Sequence, residues 1–193
     1  MTTLSKRHQF VIGCILVALM VATRGYHFPT VKTMLPSASW AVFFLAGIYL
    51  RALWLPGLLM AFAVGLDYIA ITIGGVSAFC VSPAYAALLP AYASLWFAGC
   101  WYQSRCGLTT IAPLPLIASV SIGALLCELI SSGSFYVFSG RFAAPTFVEF
   151  AERFNRYFPS SLISIAVWVG IATVLHGVVL AARGAPVFSM PKR

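Results

Sequence analysis

Residues 55–85 read LPGLLMAFAVGLDYIAITIGGVSAFCVSPAY. Up to Ile73 this is an apolar run with a proline near its first turn, a position that helices tolerate. It is interrupted once, by the carboxylate Asp67. Gly74-Gly75 breaks it, a short uncharged corner carries the thiol Cys80, and Ser82-Pro83 opens the next apolar run. A carboxylate deep in hydrocarbon costs at least about 2.5–3.5 kcal/mol on insertion scales, so Asp67 should face other helices and be paired or protonated. The stretch therefore predicts two membrane helices around an embedded site, with Cys80 at its mouth or centre.

The remainder of the chain agrees with a bilayer as solvent. Of 193 residues, 61% are hydrophobic and 8% charged, against about 25% charged in a soluble domain; the mean hydropathy is +0.96. The net charge of +8 comes from basic residues scattered singly, which form no stripe for nucleic acid. Orientation across a membrane accounts for them better. The five cysteines include no CxxC and no Cys/His pair at zinc spacing, which argues against a zinc site. All but Cys80 and Cys106 sit inside predicted helices, which argues against a disulfide framework.

Six membrane helices are predicted, over about 9–23, 40–53, 55–73, 83–102, 111–132 and 159–182. They make one transmembrane domain over residues 1–193, since each long span approaches the roughly 20 residues that cross the hydrocarbon. The first run lacks a small-x-small cleavage site and reads as a retained helix rather than a signal peptide. Ala18 and Ala22 give it a small-residue face on which another helix can dock, although ordinary alanine content explains the same spacing. Pro90 predicts a kink in the fourth helix. TFVEFAERFNRYF, 146–158, spaces its aromatics as an amphipathic helix against the bundle or the lipid interface. Six spans place both termini on one side. That side holds seven basic residues (Lys6, Arg7, Arg51, Arg105, Arg183, Lys192 and Arg193) against five on the other, which points to cytoplasmic termini. The longer loops, with His27, Cys80 and Arg153, then face outward.

Cys14, Cys100 and Cys127 read as small buried hydrophobes. Cys80 differs, because an accessible thiol is an oxidation liability unless it is used or covered, and a thiolate suits a soft or borderline metal. Tyr85 lies close enough to the Cys80 corner to share its cavity. Arg153 and Arg156, flanked by aromatics, either clamp a polar ligand or solvate their helix. His27 is a ligand or a solvated loop residue. His176 reads as an interhelical hydrogen bonder, and Glu128 divides evenly between structure and function.

GYHFPTVKTMLPSASWAVFFLAGIYLRALW, 25–54, followed by Asp67, Cys80 and Tyr85, resembles the BtuM family of cobalamin transporters. That family is similar to the substrate-binding S-components of energy-coupling factor (ECF) vitamin transporters. The resemblance spans nearly the whole chain and is most specific at HFPT and PSASWAVFFLAG. It implies an all-α, six-helix, S-component-like bundle in the bacterial inner membrane, binding vitamin B12 from outside. It also implies that Cys80 ligates the cobalt of bound cobalamin from the upper face, with cyanide displacement (decyanation) as a cysteine-mediated reaction. By the same resemblance His27, Asp67, Tyr85 and Arg153 surround the corrin ring. No GxxxxGK[ST] phosphate loop occurs, so the chain has no ATP site of this kind. Uptake then either uses a separate ECF-type energising module, docked at Ala18 and Ala22, or proceeds alone.

Two other classes compete. A membrane thiol oxidoreductase requires a resolving cysteine beside Cys80, which this sequence does not place there. A structural membrane scaffold predicts no ligand and tolerance of substitution at Cys80 and Asp67.

Overall fold

The computed structural model describes residues 4–24, 36–75, 77, 82–143 and 145–188. His27 and Cys80 lie outside the described residues.

Helix α1 spans Lys6–Arg24. Ser5 caps it, its Oγ accepting from the His8 N–H at 3.4 Å, which satisfies one orphan donor of the first turn. Helix α2 spans Ser39–Tyr49 and α3 Leu55–Thr72. Arg51 takes a φ of +53°, so α2 stops before the 53 expected from its apolar run. Pro56 starts α3, and Gly75, at φ +67°, follows it at the corner the sequence marked.

A 3-10 turn, Pro83–Ala87, leads into α4, Leu88–Cys106. Pro90 therefore does not stand in the interior of a helix, where the expected kink would form. Pro90 falls in the first turn of α4, where a missing N–H breaks no helical bond, and the change of helix type comes before it. Helix α5, Pro113–Phe138, runs six residues past the expected 132. Helix α6, Phe147–Ala182, is continuous for 36 residues and contains Pro159. The amphipathic segment and the sixth span, expected as two helices, are thus one. A proline removes one hydrogen bond and need not end a helix whose flanks are packed. At about 54 Å by helical rise, α6 exceeds a hydrocarbon core of about 30 Å.

Helix α2 sits at the centre, buried from Ser39 through Ile48 except for the half-buried Trp40. It packs most extensively on α4, which packs equally on α5. The approach of α2 to α4 is close because glycines meet backbone. A Cβ on Gly47 would lie 2.1 Å from the Trp96 carbonyl oxygen, and one on Gly99 2.1 Å from that of Phe44. Phe43 and Phe44 fill the space beside this crossing. At one end of the bundle His176 ties three elements together. Its Nε2 stands 3.1 Å from the Leu108 carbonyl and its Nδ1 3.4 Å from the Tyr49 hydroxyl. This is the interhelical role expected of it.

The outer surface is apolar. Phe10, Leu114 and Val174, on α1, α5 and α6, are 74%, 76% and 66% exposed. Among the described residues four helices, α1, α3, α5 and α6, are long and apolar enough to cross a membrane. Cys14, expected as a buried hydrophobe, is exposed on α1, because that helix meets the bundle along one stripe only. Cys127 is buried.

Candidate functional site

Asp67 obtains its partner from the end of α1. Arg24 Nε donates to Oδ1 and Nη2 to Oδ2, both at 2.7 Å. This bidentate fork is the strongest arrangement open to the pair. The third nitrogen, Nη1, donates to Ser39 Oγ at the start of α2, 3.0 Å away. Tyr85, in the 3-10 turn, donates its hydroxyl to Asp67 Oδ2 at 2.5 Å. One carboxylate thus gathers α1, α3 and the turn before α4. Beside it, Thr23 Oγ1 accepts from the Ala38 N–H at 3.1 Å, fixing the entry to α2 against α1.

These groups form one wall of a hollow of about 360 Å³. Asp67, Tyr85 and Arg24 line it from one side, and Ser131, Ser132, Phe135, Phe150, Arg153 and Tyr157 from the other. The opposing wall is the α5–α6 hairpin, held by Tyr136. Its hydroxyl donates to Glu149 Oε2 at 2.7 Å and accepts from the Thr146 N–H at 2.9 Å. Thr146 also caps α6, accepting from the Glu149 N–H. With the hairpin pinned, the Arg153 guanidinium lies 4.7 Å from the centre of the Phe142 ring and 5.7 Å from that of Tyr157, both within cation–π range. Glu128 is buried one turn below the lining serines and accepts from Ser132 Oγ. It supports the hollow's rim from behind.

Arg24 also borders a second, more polar chamber of about 350 Å³. Ser37, Ser39, Tyr92, Ser161 and Ser164 line it. The ion pair with Asp67 therefore stands between an aromatic hollow and a hydroxyl-lined one.

Of the residues singled out from sequence, Asp67, Tyr85 and Arg153 come together here. Ser77 and Ala84, three and four residues from Cys80 in the chain, both line the hollow. Ala18 and Ala22 are exposed on α1, outside this site. Arg24, one of the five basic residues on the predicted outer side, belongs to the site although the sequence marks it only as a charge that orients the chain. The signal was Asp67 itself, since an acid in an apolar helix needs a cation, and Arg24 ends the neighbouring span. No protein-family model matches the chain, and neither does any curated protein.

Among the described residues the arrangement suits recognition of a small molecule. Rings offer faces for a flat apolar body, while Asp67, Tyr85, the two serines and Arg153 offer hydrogen bonds at its edge. Binding pockets for small molecules combine these two elements.

Proposed function

We propose that this chain is a multi-pass protein of the bacterial inner membrane that binds cobalamin from the outer side for uptake. The observation that carries this reading is the hollow in which Asp67, Tyr85 and Arg153 converge between aromatic walls. A corrinoid is a large amphipathic disc with amide arms, and it calls for such walls and such hydrogen-bonding groups. At about 360 Å³ the hollow lies at the small end of the range for drug-sized ligands, so it accounts for part of the disc only. The corrinoid itself, and Cys80 as its cobalt ligand, rest on the family resemblance.

In this reading Arg153 and Tyr85 hold the amide arms, with His27 as a further contact, and Asp67 orients Tyr85 and Arg24. The Cys80 thiolate ligates cobalt from the upper face. Where the ligand is cyanocobalamin, the thiolate replaces cyanide, which leaves as its anion with no change in cobalt oxidation state. The exposed Ala18 and Ala22 are a docking face for an ECF-type energising module, where one is used.

Visible absorption tests this directly. Detergent-purified protein is incubated with cobalamin and passed through gel filtration, wild type beside Cys80→Ala. The expected result is co-eluting pigment with a spectral shift that the variant lacks. Co-elution without a Cys80-dependent shift keeps the binding protein and removes the cobalt–thiolate bond. No pigment with either protein leaves the structural scaffold as the better reading.

A further inference from the structure

A furrow of about 710 Å³ runs between α1 and α3 at the Lys6 end of the bundle. Phe10 and Val17 wall it on α1, Leu58 and Phe62 on α3, and the buried Leu16 and Leu59 lie at its base. At Gly13 the helix offers bare backbone. A Cβ there would meet nothing nearer than Leu50 Cδ1 at 3.9 Å, so the furrow is open at that level. Its polarity is segregated. Lys6 and Gln9, in the first turn of α1, are polar, and the other lining residues are apolar or the thiol Cys14.

We propose that this furrow binds one acyl chain of an anionic phospholipid, with Lys6 and Gln9 holding the headgroup, whenever no energising module is docked at Ala18, which lies at its end. The inference rests on the membrane-embedded part of the function proposed above and not on the corrinoid. Three observations select this occupant. From Lys6 to Ala18, the ends of the furrow on α1, the helical rise covers about 18 Å, close to the roughly 15 Å depth of one leaflet's hydrocarbon. Trp54, 68% exposed at the same end, is the residue type that settles at headgroup level. Lys6, exposed at the furrow's mouth, puts positive charge where the headgroup phosphate would lie. A basic residue near an anionic surface strengthens attraction by roughly fivefold, whereas an uncharged partner helix would leave Lys6 without a counter-charge.

Native mass spectrometry of the full-length, delipidated protein tests it, with dioleoyl phosphatidylglycerol and dioleoyl phosphatidylcholine added in equal amounts. The wild type is expected to retain the anionic lipid about fivefold more than the zwitterionic one, and Lys6→Gln to bring the two to parity. Gly13→Leu, which fills the furrow with a good helix former, is expected to remove the tightly held adduct of either lipid while the melting temperature is kept. Equal retention of both lipids by the wild type, unchanged preference in Lys6→Gln, or a co-purifying protein in place of lipid overturns the proposal. Fractionation of cells separates the two failures. Protein absent from the membrane fraction removes the membrane reading itself, and membrane protein without lipid preference removes this site alone.

Discussion

Asp67→Ala is expected to destabilise the folded protein by about 3 kcal/mol, the lower end of the range for breaking a buried ion pair. The lower end applies because the two side chains retain 12% and 19% exposure. The loss is not the energy of the contact. It is the cost of leaving Arg24 desolvated among groups that were arranged around its carboxylate. Tyr85→Phe should cost less, about 1.5–3 kcal/mol, since it removes one hydrogen bond to a charged acceptor. Arg24→Met combined with Asp67→Leu should recover most of the loss, because it removes both charges and keeps the volume. Equilibrium unfolding in mixed micelles, arranged as a double-mutant cycle, separates these terms. A single Asp67→Ala variant within 0.5 kcal/mol of wild type, on the order of an ordinary surface change, would show that the pair does not hold α1 to α3. In the cobalamin assay the double variant should bind less pigment even where it folds, since Tyr85 loses its orienting acceptor.

Gly47→Ala and Gly99→Ala should each be at least as damaging. The new methyl carbon would sit 2.1 Å from a backbone oxygen of the facing helix. A side chain could rotate away from such a contact, but Trp96 and Phe44 meet it with their carbonyls. Helices α2 and α4 must therefore separate by more than an ångström, which opens the packing around Phe43, Phe44 and Leu95. Overpacking in a well-filled core costs about 1–3 kcal/mol and occasionally more, and a backbone obstacle places these variants at or above the top of that range. Gly65→Ala is the control. It lies on an exposed face of α3 with nothing within 4 Å of the added Cβ, and helix propensity favours alanine there by about 0.8–1 kcal/mol. Circular-dichroism melting and gel-filtration profiles of the three variants decide the matter. Gly47→Ala melting with the wild type would mean that the two helices do not cross this closely.

Both results bear on which small residues matter. Ala18 and Ala22 stand out in the sequence at helical spacing, and both lie exposed on α1, open to another subunit. The close crossing falls instead at Gly47 and Gly99, which share no local motif. Small side chains permit an approach, and which helix makes it depends on the arrangement of the whole bundle.

The sequence alone accounts for the helical architecture of the described residues, because long apolar runs broken by glycine, proline and isolated charges leave few other ways to satisfy the backbone in an apolar solvent. It also marked Asp67 as a residue that must find a partner, while Tyr85 and Arg153 join it around one ligand only through what the family resemblance implies. The fold supplies that partner as Arg24, 43 residues away. Five basic residues lie on the same predicted side, and local pattern cannot rank them. It likewise decided that α6 continues through Pro159, since packing on the α5–α6 hairpin outweighs one missing hydrogen bond. The site is legible as a demand in the sequence and answered in the fold, because a buried charge constrains its surroundings without naming which segment will supply the counter-charge.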